Sequence, residues 1–294
     1  MENMTGKYNI KDLEVLSGIK AHTLRIWEQR YGILHPQRTD TNIRLYSNED
    51  LKRILNVSTL NKSGIKISKI AQLKEAEIND AVKRLIVTAD DKDGLIDGLI
   101  VAMVDLNEEM FNRIFSINTV KEGFEKTITE VIFPFLKKTG VMWQTDSINP
   151  AQEHFVTNLI RQKLIAAIDN VNGYHSETSK KITFFLPEGE LHEISLLLYN
   201  YMAKTRGYNT VYLGQSVPFN DLIKVNSISQ SDYFVTVITQ ALKEIEISDY
   251  LKQLSDALPK QKILVSGYQA IQNSQKTPKN VVVFKTPAEF SENL

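Results

Sequence analysis

The sequence predicts a multidomain protein of mixed α and α/β class, and three observations carry that prediction. From Lys180 onward, short continuous apolar runs alternate with amphipathic stretches of helical period. Residues 76–170 instead read as a succession of amphipathic helices with no convincing strand. Near the N-terminus, two short amphipathic helices flank a Gly turn and are followed by two brief extended runs around a polar tip. A chain of 294 residues that is 42% apolar is long enough for two or three such cores.

In the N-terminal part, Ile10-Lys11-Asp12-Leu13-Glu14-Val15-Leu16 is the first short helix and Ser17-Gly18 closes it. Ala21 to Tyr31 is the second. Leu24 and Trp27, with Ile19 before them, fall on one apolar face, while His22, Thr23, Arg25 and Arg30 project from the others. Two short helices joined by a tight turn are the helix-turn-helix pattern, in which the second helix enters the major groove. The following stretch, through Arg38 and Arg44 to Tyr46, reads as a two-stranded wing with a polar tip, its arginines placed to meet phosphates. Ser47, with Asp50 three residues on, predicts the cap of the next helix.

Charge supports a nucleic-acid partner. The overall net charge is zero, yet residues 1–74 hold 13 Lys/Arg and 7 Asp/Glu, so a basic head sits on an acidic body. The absence of cysteine excludes disulfides, iron–sulfur clusters and thiolate zinc sites. No apolar run reaches membrane-spanning length and the N-terminus lacks an apolar signal core, which predicts a cytoplasmic protein without a membrane partner.

Helices are expected near 76–89, 91–105, 107–119, 121–138 and 150–170, four of them, with short connections, forming a four-helix bundle. The last starts clearly, with Asn149 as N-cap, Pro150 at the first helical position and Gln152 completing a capping box. Trp143 falls in the loop before it, and Glu153 and His154 on its first turn. The C-terminal strands predict a flavodoxin-like five-stranded parallel sheet covered on both faces, whose ligands sit outside the strand C-termini. The first such loop carries Glu190 and His192. An imidazole there can ligate a metal, and Glu190 can accept its other ring hydrogen and hold the tautomer. Alone, a histidine in such a loop reads as readily as a surface or capping residue. The corresponding domains are 1–75, 76–178 and 179–294.

The order Leu-Arg-x-Trp-Glu-x-Arg-Tyr-Gly, then Pro-x-Arg, then Arg-Leu-Tyr-Ser resembles the winged helix-turn-helix head of MerR-family transcription regulators over residues 8 to about 74. A helical bundle carrying Trp-x9-Glu-His (Trp143, Glu153, His154), joined to an α/β domain that opens with acidic-x-His, resembles the cobalamin-binding module of corrinoid proteins. Together the two are similar to cobalamin-dependent regulators of the CarA/CarH type. That resemblance implies a double-stranded DNA operator read by His22, Thr23, Arg25, Arg30, Arg38, Arg44 and Tyr46. It implies a cobalamin, adenosylcobalamin being one form, with His192 as the lower cobalt ligand and Trp143, Glu153 and His154 around the upper face. Ser195, Val237, Thr239, Ser266 and Gly267 occupy positions where the family carries small residues that make room for the buried nucleotide tail.

Ser195, Val237 and Ser266 are larger than the family pattern, and Gln144 follows the Trp where light-responsive members commonly have His. Three function classes follow. One is a repressor-like, one-component regulator in which cobalamin is coupled to oligomerisation and operator binding. Another is a cobalamin-independent regulator whose degenerate α/β domain serves dimerisation or protein binding. The third, a corrinoid enzyme subunit, has no use for the DNA head, so no enzymatic activity is expected. No sustained heptads follow residue 74, so a homo-oligomer would be held by residues 76–294.

Overall fold

Helix α1 (Ile10–Ser17) starts where the Asn9 side chain accepts from the Lys11 and Asp12 amides and Asp12 accepts from the Asn9 amide. It ends at Gly18, whose φ of 72° lies where a side chain would be strained. Helix α2 (Ala21–Tyr31), strands β1 (Gln37–Arg38) and β2 (Arg44–Leu45), helix α3 (Asn48–Lys62) and a short α4 (Ile67–Ile70) follow in order. The two strands pair antiparallel, and Tyr8 adds a bridge to Tyr46 through bonds of 2.9 and 2.8 Å. Ser47 and Asp50 form the expected capping box at the start of α3.

In this computed structural model, which describes residues 8–39, 41–88, 92–144, 148–171, 179–243, 245–273 and 277–294, the chain divides into two units, residues 1–159 and 160–294. The wing tip at Asp40 and the expected helix break at Asp90-Asp91 lie outside the described residues.

In the first unit, α3 belongs to two cores at once. One face packs on α1 and the other on α5 (Glu75–Thr88) and α6 (Lys92–Val104), so every residue from Asp50 to Leu60 except Lys52 and Arg53 is buried. Polar contacts follow the same seam. Ser58 Oγ donates to the Ser17 carbonyl at 2.9 Å. Asp97 is a buried carboxylate within the apolar run 95–104 of α6. It takes Lys138 at 3.0 Å and Lys62 at 3.5 Å, and the Lys138 ammonium also reaches the Leu16 carbonyl at 3.4 Å. Burial pushes the Asp97 carboxyl up, against the pull of the two lysines.

The bundle continues with α7 (Glu108–Glu122) and α8 (Phe124–Thr127), a π-turn over Ile128–Ile132, then α9 (Phe133–Gln144) and α10 (Pro150–Asp169). One expectation is corrected here. The helix foreseen to stop at 138 runs six residues further, so Trp143 stands in its last turn and not in a loop. The Thr139 hydroxyl is absorbed by the Phe135 carbonyl at 3.0 Å and Met142 is buried, which carries the helix past Gly140. The start of α10 is as expected, Asn149 and Gln152 exchanging bonds of 3.0 and 3.1 Å.

In the second unit, strands β3 (Lys181–Pro187), β4 (Asn209–Val217), β5 (Tyr233–Val237), β6 (Lys262–Ser266) and β7 (Val281–Val283) are parallel, in the order β4-β3-β5-β6-β7. That is the predicted five-stranded sheet, with its switch of strand order between β3 and β5. Helices α11 (Ile194–Thr205), α12 (Phe219–Ser229), α13 (Ile247–Ala257), α14 (Tyr268–Gln272) and α15 (Pro287–Asn293) connect and cover it. The amphipathic stretch after the first apolar run predicts a helix from about Glu190 to Arg206, but α11 begins at Ile194. The Glu190 carboxylate captures the Leu191 and His192 amides, which holds the chain in a loop. The apolar run 233–239 predicts a strand over its whole length, but β5 stops at Val237 because the Thr239 amide bonds to the same carboxylate.

Candidate nucleic-acid interface and ligand-binding edge

On the head, His22, Arg25 and Arg30 of α2 are exposed and Thr23 is half-buried, while Leu24 seats the helix in the core. Arg38 is exposed on the wing and donates to Asn42 Oδ1 at 2.5 Å. The other two residues read as DNA contacts face inward. Arg44 Nε pairs with Glu28 Oε1 at 3.0 Å, and the hydroxyl of the buried Tyr46 donates to Glu28 Oε2 at 3.0 Å. Burial, then Glu28, raises the Tyr46 phenol. Glu28 thus fastens the wing to α2. Sequence reading missed this residue, although it stands inside the motif that revealed the helix.

On the bundle, Trp143 is 57% exposed at the end of α9, and Glu153 and His154 open α10 with their side chains 3.2 Å apart. The side chain of Gln144 lies outside the described residues. These three residues belong to the first unit, whereas Glu190, His192, Ser195, Val237, Thr239, Ser266 and Gly267 belong to the second.

The edge of the second unit is organised by Glu190. Its carboxylate is completely buried. Oε1 accepts from the Leu191 and His192 amides at 2.9 and 3.0 Å and lies 2.6 Å from His192 Nδ1, and Oε2 accepts from the Thr239 and Gln240 amides at 2.8 and 3.1 Å. Burial alone would raise this carboxyl. The bonds from His192, Gln240 and Thr239 outweigh it and bring the pKa down to about 2. Further bonds pin the loop from outside, from Gln240 Nε2 to the Gly189 carbonyl at 2.8 Å, Gln215 Nε2 to the Leu191 carbonyl at 2.6 Å and the Gly189 amide to Ser216 Oγ at 3.1 Å. A crevice of about 610 Å³, lined by Glu188, Gly189, Phe219 and Tyr250 among others, flanks this loop.

An ionised Glu190 fixes the neutral imidazole as the Nδ1–H tautomer, which leaves the lone pair on Nε2. The His192 side chain is 59% exposed at the C-terminal edge of a parallel sheet. A borderline nitrogen donor held in this way suits cobalt, so the loop fits the lower ligand of a corrinoid. Among the described residues no cluster of three or more His, Cys, Asp or Glu could hold a metal ion, so any metal here would bring its other donors with it.

The nucleotide-tail positions are another matter. Val237 and Ser266 are buried and Ser195 has been taken into α11. Ile238 and Ser266 are bonded to each other at 2.8 Å, and a Cβ on Gly267 would lie 2.4 Å from the Ile238 carbonyl oxygen. Beside Ser266 lies the buried Tyr199, its ring packed on Phe284 at 5.0 Å and Phe290 at 4.8 Å. The imidazole fits the cofactor, while the tail positions are filled by side chains. Glu193, missed by sequence reading, is also buried and holds Arg161 and the Tyr212 hydroxyl.

Comparison with known proteins accords with this geometry. Residues 8–77 match the MerR HTH family regulatory protein model, and residues 95–167 match the B12 binding domain model. The chain is 26% identical over 261 residues to the HTH-type transcriptional repressor CarH of Myxococcus xanthus, covering 86% of each. It is 28% identical over 214 residues to CarA of the same organism, covering 71% of this chain and 68% of the relative. Among solved structures, the monomethylamine corrinoid protein of Methanosarcina barkeri shares the fold, with a TM-score of 0.52 at 17% identity, over 68% of this chain and 94% of that one. The chain thus joins a MerR-type helix-turn-helix domain to a B12-binding domain, the organisation of a cobalamin-binding transcription regulator.

Proposed function

We propose that the chain is a one-component, repressor-like regulator in which a corrinoid seated on His192 sets the oligomeric state and, through it, operator affinity. Head, cap-like bundle and sensor correspond to residues 1–75, 76–178 and 179–294. The observation that carries this reading is the Nδ1-tethered imidazole of His192 over a parallel sheet, in the same chain as a winged helix-turn-helix. The CarH and CarA relatives, both repressors by name, support it, and no catalytic role is assigned. A bound corrinoid would supply the cobalt, which His192 would hold as donor with Glu190 as its orienter; Trp143, Glu153 and His154 are the further residues that the resemblance assigns to the same cofactor.

Titration of full-length protein with adenosyl- and hydroxocobalamin, followed by absorption and gel filtration, tests this. Binding is expected to shift the elution volume, and His192→Ala to move the spectrum towards a base-off or water-ligated form at lower affinity. No binding of either cobalamin at high micromolar concentration would leave the second reading, a cobalamin-independent regulator. The filled tail positions at Val237, Ser266 and Tyr199 favour that second reading.

For the head, His22, Arg25, Arg30 and Arg38 are the exposed candidates for DNA contact. Arg38→Ala is expected to weaken duplex binding broadly and to reduce the slope of log affinity against log salt by about one unit. Glu28→Gln removes no cationic contact, but should weaken binding by loosening the wing from α2. Salt-dependent fluorescence anisotropy on an operator duplex reads both, and an unchanged slope for Arg38→Ala would take this residue out of the interface.

A further inference from the structure

Tyr199 stands on α11 one turn beyond Ser195, so the two side chains leave the same face of the helix. It is 3% exposed and lies beside Ser266 at the end of β6. Its ring meets Phe284 edge-on at 5.0 Å and Phe290 of α15 at 4.8 Å, and those two fully buried rings are 5.4 Å apart. Helix α11 packs on α15, so the three rings form one aromatic cluster beneath that helix. The ends of β5 and β6 are closed on each other as well. The Ile238 amide donates to the Ser266 carbonyl, and Gly267 comes so near Ile238 that a methyl group there would collide with its backbone. The same sheet edge thus offers an imidazole free to donate through Nε2 and, below it, close-packed side chains. A nucleotide on the lower side of a corrinoid could enter only by evicting a buried phenol ring from its partners, and cores resist such overpacking.

We propose that Tyr199 is a specificity-determining residue that makes the His192 site favour corrinoids without a nucleotide tail, the cobinamides, over complete cobalamins. This rests on the corrinoid reading of the site given above. With a cobinamide, His192 Nε2 has only water to displace from the lower cobalt position, and Tyr199 keeps its place beside Ser266. With a cobalamin, the tail base must leave the cobalt and the nucleotide must then find room that Tyr199 occupies.

The test titrates full-length protein with aquated cobinamide and with hydroxocobalamin, following the absorption spectrum and the melting temperature. Cobinamide is expected to bind roughly tenfold more tightly or better, and to raise the melting temperature further. His192→Ala should lose the spectral shift for both. Tyr199→Ala opens the cluster and should bring cobalamin to within about threefold of cobinamide, whereas Tyr199→Phe, which keeps the ring, should retain the wild-type preference. The wild-type comparison decides the matter even where Tyr199→Ala fails to fold. Cobalamin binding as tightly as cobinamide to wild type, or an unchanged preference in folded Tyr199→Ala, would overturn the selectivity and leave His192 as a cobalt ligand. A cobinamide shift that survives in His192→Ala would place the corrinoid elsewhere and overturn it too. No binding of either compound would instead remove the corrinoid reading itself, and this proposal with it.

Discussion

Glu190→Ala is expected to be the most damaging single substitution in the α/β unit, at about 3–5 kcal/mol. Truncation strands four backbone amides from two separate loops, those of Leu191, His192, Thr239 and Gln240, around a carboxylate that is itself completely buried. It also frees the imidazole of His192 from its orienting carboxylate. The carboxylate should confer a pH dependence as well. Its folded pKa of about 2 lies below the ordinary 4.5, so its stabilisation is complete above 4.5 and disappears as pH falls from there through 2. Urea unfolding followed by circular dichroism at pH 7 and at pH 3 measures both effects. A loss under about 1 kcal/mol at neutral pH would mean that the two loops hold without the carboxylate.

Gly267→Ala should come next, at roughly 2–4 kcal/mol. Its φ of 99° disfavours any side chain, and the new methyl would stand 2.4 Å from the Ile238 carbonyl oxygen and 2.7 Å from its amide nitrogen. Both are backbone atoms, fixed in turn by the bonds from the Ile238 amide to the Ser266 carbonyl and from the Gln269 amide to the Ile238 carbonyl. No flexible side chain is there to give way. A melting temperature within a degree or two of wild type would show that the ends of β5 and β6 can part, as entry of a nucleotide tail between them would also require.

The head and the sheet were legible in the sequence because their signals are local. Gly18, the Ser47–Asp50 box and the Asn149–Gln152 box act within four residues, and the apolar runs of β3, β5 and β6 announce strands buried on both faces. Boundaries failed where a side chain took over backbone amides. The amides at 191, 192, 239 and 240 are claimed by a single carboxylate, so a helix starts late and a strand ends early. The same limit applies at the site. His192 and Glu190 are two residues apart and their pairing was foreseeable, but the inward turn of Arg44 and Tyr46 depends on Glu28, which lies 16 and 18 residues away. The packing of Tyr199, beside Ser266, on Phe284 and Phe290 spans more than 90 residues, and no spacing rule reveals it.

The double burial of α3 determines what kind of motion the DNA-reading head can make. A head on a pliant linker swivels freely, and DNA must then restrict that swivelling each time it binds. Here α3 is buried against α1 as well as α5 and α6, so the helix cannot leave one core without disturbing the other, and Asp97 holds lysines from α3 and α9 at the junction. The head is therefore coupled to the bundle by sliding helix contacts, a shear joint in place of a hinge. Such joints move by small steps between packed arrangements and not through a continuum of angles. Reorienting α2 on DNA means reseating α3, so the angular search is largely completed before the duplex arrives.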